Sequence, residues 1–199
     1  MIVLGLTGSV AMGKTATAKM FAEEGIPVFD ADAAVHRIYE REAVPLVEAE
    51  FPGVTVGGRI DRERLASKVL NDPAALKKLE AIVHPLVRKA QQEFRAQAKK
   101  NNAAIVLVDI PLLFETGGDG RVDAVIVVTA PPEVQRTRML ERPNMTGEKL
   151  EALLARQMPD SEKRRRADFI IDTSRGFDAA RADVRNILRQ LREHGTPRK

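Results

Sequence analysis

The chain has 199 residues, 44% of them hydrophobic and 30% charged, with a net charge of +4. That is the balance of one globular domain, or of one carrying a small inserted subdomain, and it excludes a disordered chain. There is no cysteine, which excludes disulfides, a thiolate nucleophile and thiolate-held zinc or iron–sulfur sites. No apolar run approaches the ~20 residues that span a bilayer. The start, Met1-Ile2-Val3-Leu4-Gly5, lacks the basic lead of a secretory signal. A soluble cytoplasmic protein with no membrane partner is therefore expected. With one Tyr, seven Phe and no Trp, a stacking platform for single-stranded nucleic acid is not expected either.

Residues 2–7 form a continuous apolar run, as in a strand buried on both faces. Gly8 to Gly13 reads as loop. Lys14 to Glu24 reads as a helix with Ala18, Phe21 and Ala22 on one side, stopped by Gly25 and Pro27. Pro27-Val28-Phe29 is a short second strand that runs into Asp30 and Asp32. Residues 33–101 read as almost wholly helical. Within them Asp61 is a cap, with Ile60 and Leu65 as a hydrophobic staple, and Asp72-Pro73 is another start. His84-Pro85 is expected to interrupt the last of these helices.

Ile105 to Leu113 and Val122 to Thr129 read as further buried strands. Pro131-Pro132 opens an Arg-rich helix through Arg142, and another helix is expected near Glu148 to Gln157. Phe169 to Asp172 is a fifth strand. A final helix is expected to bury Phe177, Ala180, Val184, Ile187, Leu188 and Leu191. Apolar strands separated by helices predict an α/β fold with a parallel sheet covered on both sides.

The strongest motif is Gly8-Ser9-Val10-Ala11-Met12-Gly13-Lys14-Thr15, which matches G-x-x-x-x-G-K-[ST] between a strand and a helix. Backbone N–H groups in such a loop form an anion nest, and the helix that follows adds the positive end of its dipole. Lys14 would bridge the β- and γ-phosphates of a nucleoside triphosphate, and the Thr15 hydroxyl would bind Mg²⁺. A GTPase would need D-x-x-G and N-K-x-D, and neither is present. Asp109 ends a hydrophobic strand, as the Mg²⁺ anchor of a motor ATPase does, yet Pro111 follows closely and no second acid adjoins it. Asp30 and Asp32 follow the second strand, on the edge where ligands of parallel sheets gather. A carboxylate there can take a proton from an attacking hydroxyl or orient Mg²⁺, which points to a small-molecule kinase. The alternative for either acid is a helix N-cap.

Gly5-Leu6-Thr7-Gly8 with the cradle, Asp30-Ala31-Asp32, Leu79 to Pro85, Pro111-Leu112-Leu113-Phe114-Glu115, Gln135…Arg138…Arg142, Arg156-Gln157-Met158-Pro159 and Lys163 to Asp168 resemble, in order, the signature series of the dephospho-CoA kinase family. The resemblance covers nearly the whole chain. It implies a P-loop fold of the nucleoside-monophosphate-kinase branch, a five-stranded parallel sheet with a helical substrate-binding domain and a small lid. The nucleotide-binding core would be residues 1–32, 103–142 and 159–199, the substrate domain 33–102 and the lid 143–158. The implied reaction transfers the γ-phosphate of ATP to the 3′-hydroxyl of 3′-dephospho-CoA, with Mg²⁺ as cofactor. Another P-loop nucleotide or small-alcohol kinase is the alternative. No nucleic-acid partner is implied; the oligomeric state stays open, with a monomer favoured.

The resemblance also implies roles. Asp32 would be the base. Gly8, Ala11, Met12, Gly13, Lys14, Thr15 and Ala16, with Arg138 and Arg142, would hold the nucleotide. Arg142, on the same helical face as Arg138 and at the edge of the lid, would also stabilise the transferring phosphoryl group, with Arg156 as a further candidate. His84, Leu113, Phe114 and Glu115 would meet the acceptor, although a lone histidine is more often packed than catalytic, and simple packing is the alternative for Phe114. Lys163 to Arg166 would brace the triphosphate region, unless Arg165 and Arg166 are simply an exposed helix end. Two departures stand out. Val10-Ala11-Met12 replaces the Ile-Gly-Ser of many members, and Thr173 stands where the family often has Asn.

Overall fold

The computed structural model describes residues 1–70, 72–143, 145–155 and 157–197. Along the chain, β1 (Ile2–Thr7) and α1 (Lys14–Glu23) precede β2 (Val28–Asp30), α2 (Ala31–Tyr39) and α3 (Ala43–Glu50). A hairpin of β3 (Thr55–Val56) and β4 (Arg59–Ile60) leads to α4 (Arg62–Val69) and α5 (Pro73–Lys100). The second half runs β5 (Ile105–Asp109), β6 (Ala124–Thr129), α6 (Pro132–Leu140), α7 (Gly147–Leu154), α8 (Asp160–Arg165), β7 (Phe169–Asp172) and α9 (Phe177–His194). The chain divides into two compact units, one of Met1–Val28 with Ala98–Lys199 and one of Phe29–Gln97. Among the described residues no helix is long and apolar enough to cross a membrane.

The first unit is built on a five-stranded parallel sheet in the order β2-β5-β1-β6-β7. Strand β1 pairs with β5 from Ile2↔Ile105 to Leu6↔Asp109, and with β6 from Leu4↔Ala124 to Thr7↔Val127. Residues of β6 alternate between two cores, as a strand's period of two requires. Ile126 and Val128 join Leu4, Leu6, Phe21, Val184 and Leu188 on one face, while Val125 and Val127 meet Leu113 and Phe114 on the other. Both faces are therefore covered, which is why these strands read as unbroken apolar runs. The shared register brings the ends of β1, β5 and β6 out on one edge, and the loops that follow them carry the polar chemistry.

The second unit packs Ile38, Val47, Phe51, Leu65, Val69, Leu79 and Val83 into a core of its own. Asp61 caps α4 by accepting from Glu63 N–H and Arg64 N–H, both at 3.0 Å, and Asp72 accepts from Ala74 N–H and Ala75 N–H ahead of α5.

Three expectations are corrected. Residues 33–101 are less helical than the expected almost wholly helical stretch: Gly57 and Gly58, at φ 58 and 78, turn the β3–β4 hairpin, the two-residue turn whose twist suits adjoining strands. Pro85 does not interrupt its helix, because α5 runs 28 residues through it. Pro85 and Ala81 lie on the exposed side, so the missing N–H falls away from the packed face, while Leu79 and Val83 anchor the buried side. Phe177 is 68% exposed rather than buried, since it opens α9 ahead of the turn that packs on the sheet.

Candidate active site

Strand β1 delivers the glycine-rich loop to the carboxyl edge of the sheet. A Cβ on Gly8 would lie 2.5 Å from the Val128 carbonyl, so only glycine lets the loop leave so close to β6. Ala11 and Gly13 take left-handed backbone, with φ of 62 and 91. For Ala11 that costs about 1 kcal/mol, strain that a glycine at this position would not carry. The Met12 side chain is buried in the sheet's core at 2% exposure and pins the loop from below. Among the described residues no side chain caps α1. The first-turn amides of Lys14, Thr15 and Ala16 thus form the unsatisfied positive end of a helix, the arrangement that binds phosphate.

Lys14 Nζ donates to Asp109 Oδ1, and Asp109 is nearly buried at the end of β5. Thr15 is exposed in the first turn of α1. Arg138 on α6 is clasped by Thr173: Nη1 donates to its hydroxyl at 2.7 Å and Nη2 to its carbonyl at 2.8 Å. The Thr173 hydroxyl lies 2.9 Å from the Met12 carbonyl and donates to it. The departure at position 173 therefore joins the phosphate loop to Arg138, a link that composition and motif spacing do not reveal. Helix α6 ends at Leu140, so Arg142 lies beyond it and the helical face expected for Arg138 and Arg142 is not formed. Arg142 is exposed and has no ion-pair partner among the described residues. Arg156 lies outside the described residues.

In the second unit Asp30 caps α2, accepting from Ala33 N–H at 2.9 Å. Asp32 is not the cap; it is exposed in the first turn of that helix and free of this structural duty. His84 is exposed on α5.

After β5, Leu113 (0% exposed) and Phe114 (5%) pack into the sheet's second core, so their side chains serve the fold. Glu115 accepts from Met158 N–H at 2.8 Å and pairs at 3.0 Å with Lys163, whose side chain is fully buried. Burial works to raise the Glu115 carboxyl, but these partners and its own N–H outweigh it and hold the group below its ordinary value. Arg166 is not an exposed helix end: it lies 4.5 Å over the Phe114 ring and pairs with Asp119 at 2.7 Å. Arg165 is exposed and pairs only with its helix neighbour Glu162 among the described residues.

Comparison with known proteins bears on the family and the fold. The family model for dephospho-CoA kinase matches residues 2–178. A curated dephospho-CoA kinase from Rhodopseudomonas palustris is 63% identical over 188 residues, 94% of either chain. A solved structure from Thermus thermophilus has a TM-score of 0.84 at 36% identity, covering 96% of this chain and 97% of that one. The dephospho-CoA kinase from Campylobacter jejuni has a TM-score of 0.73 at 28% identity with the same coverage. With a family match over most of its length and relatives this similar, the chain belongs to the dephospho-CoA kinase family.

Proposed function

We propose that the protein transfers the γ-phosphate of ATP to the 3′-hydroxyl of the ribose of 3′-dephospho-CoA, giving CoA and ADP in the cytoplasm. The observation that carries this reading is the uncapped start of α1 behind a loop of left-handed residues, with Lys14 beside it. Such a nest binds a polyphosphate, and the family supplies the acceptor. The Gly8 loop and the amides of Lys14, Thr15 and Ala16 would seat the phosphates, and Lys14 would exchange the Asp109 carboxylate for phosphate oxygens. Asp32 takes the proton of the attacking hydroxyl, a role open to it because Asp30 does the capping. Arg142, with no carboxylate holding it among the described residues, would be available to the transferring group, while Arg138 stands fixed by Thr173. His84 and Glu115 would meet the acceptor, with Leu113 and Phe114 shaping the loop that carries Glu115.

The residues fit Mg²⁺. Among those described, no group of three His, Asp or Glu gathers as a metal cage. Mg²⁺ characteristically keeps several waters and shares phosphate oxygens with one or two protein donors. Thr15 would be such a donor. When bound, the ion neutralises charge on the β- and γ-phosphates.

The test is mass-spectrometric detection of CoA from dephospho-CoA, ATP and Mg²⁺, with ADP release dependent on the acceptor. No CoA, alongside turnover of another alcohol, would reassign the substrate.

A further inference from the structure

Val10 lies in the phosphate loop, and its two backbone polar groups are each held by a glutamine. Gln135 Nε2 donates to the Val10 carbonyl at 2.7 Å, and Val10 N–H donates to Gln157 Oε1 at 3.1 Å. The two contacts are complementary. A carbonyl requires a donor and an N–H requires an acceptor, so each glutamine amide has one usable orientation. Gln135 lies in α6 and is 6% exposed, whereas Gln157 follows α7. Helix α7 lies between the two in the chain, and the glutamines on either side of it reach the same loop residue.

Gln157 is itself fixed. Its N–H donates to the Leu154 carbonyl at 3.0 Å. The next N–H, that of Met158, is held by Glu115, which in turn is paired with buried Lys163. Val10 is therefore tied both to a buried helix position and to an anchored chain turn. The neighbouring loop residue, Ala11, is in the left-handed region, a conformation that persists when its surroundings over-determine it.

We infer that Gln135 and Gln157 are positioning residues that preorganise the phosphate loop for nucleotide and couple its shape to the segment between them. The inference rests on the ATP-binding reading of that loop. With Val10 clamped on both sides, the loop is ordered on folding, and binding does not have to order it. Losing one clamp should weaken ground-state binding and leave the chemical step alone.

The test compares Gln157→Ala, Gln157→Met and Gln135→Met with wild type, all at pH 8 and full length. The readouts are ADP affinity by calorimetry, KM for ATP, kcat, and melting temperature in buffer alone. Gln157→Ala is expected to lower ADP affinity and raise KM about fivefold, as loss of one hydrogen bond would, with kcat within about twofold. Gln157→Met keeps the side-chain length without the acceptor and is expected to lose as much affinity as Gln157→Ala, which separates the hydrogen bond from packing. Gln135→Met removes the donor to the Val10 carbonyl without adding charge and is expected to weaken binding about as much. Unchanged ADP affinity in Gln157→Ala, or full affinity in Gln157→Met, would overturn the inference. If Gln135→Met melts in buffer alone before it can be titrated, the Gln157 pair decides. Wild type that binds no ADP would instead overturn the nucleotide reading, and the inference with it.

Discussion

Lys14 Nζ lies 2.5 Å from Asp109 Oδ1, with side-chain exposures of 17% and 6%. Opposite charges this close and this dry satisfy each other, and removing one strands the other in a poor solvent. Asp109→Asn should therefore lower stability by about 3 kcal/mol, roughly 6–12 °C in Tm for a chain of this size. A triphosphate tail would give Lys14 a replacement partner. The rise in Tm on adding ATP should accordingly be larger for Asp109→Asn than for wild type. Equal rises in thermal melts would show that Lys14 does not answer to the nucleotide.

Asp30 and Asp32 are separable by experiment because only one of them is a cap. Asp30→Ala loses the bond to Ala33 N–H and should cost about 1 kcal/mol of stability while leaving kcat within about twofold. Asp32→Asn should do the reverse, lowering kcat by about a hundredfold or more with little change in KM for ATP or in Tm. Steady-state kinetics and melts on both variants decide the matter. A kcat of Asp32→Asn equal to wild type would remove it from the base role.

What the sequence made legible follows from where single residues carry whole decisions. The glycine-rich loop was readable because Gly8 has no alternative against the Val128 carbonyl, and β1 and β6 because burial on both faces leaves no polar position to blur the run. The β3–β4 hairpin was missed because its strands are two residues each, too short for alternation to show; Gly57-Gly58 was the available signal. Pro85 misled because local propensity yields when tertiary packing holds both halves of a helix. The Thr173–Arg138 clasp and the burial of Lys163 were illegible for another reason. They join residues 35 and 48 positions from their partners, and a basic run looks solvated until the fold places it.

Gly8→Ala tests the close passage of the loop over β6. The added Cβ would meet the Val128 backbone oxygen at 2.5 Å, and Val128 is held in β6 by its pairing with β7. ADP binding should be lost, with a drop in Tm. Gly25→Ala is the control: its φ is +78 but its Cβ would meet nothing within 4 Å. It should cost only the left-handed strain, about 1–2 kcal/mol, and leave ADP affinity unchanged. Retained affinity in Gly8→Ala, measured by calorimetry, would show that the loop can move away from β6.

Glu115 and Lys163 set a pH dependence whose direction follows from the carboxyl. Burial opposes the charged form, but the Met158 and Glu115 N–H groups and the Lys163 ammonium stabilise it more, so its folded value lies below the 4.5 of an unperturbed glutamate. Stability from this ionisation is present above about pH 4.5 and fades as pH falls through the lower folded value. At pH 7, Glu115→Gln leaves Lys163, which is 0% exposed, without its counter-charge. About 3 kcal/mol should be lost, the low end for a buried pair because Glu115 keeps some contact with solvent. The gap in Tm between wild type and Glu115→Gln should then narrow below about pH 4.5 as the wild-type carboxyl protonates. Adding Lys163→Met to Glu115→Gln should recover part of the loss, since no buried ammonium remains. A gap that stays constant from pH 7 to the acid limit of folding would mean that the shape of Glu115, and not its charge, holds Met158 and Lys163 in place.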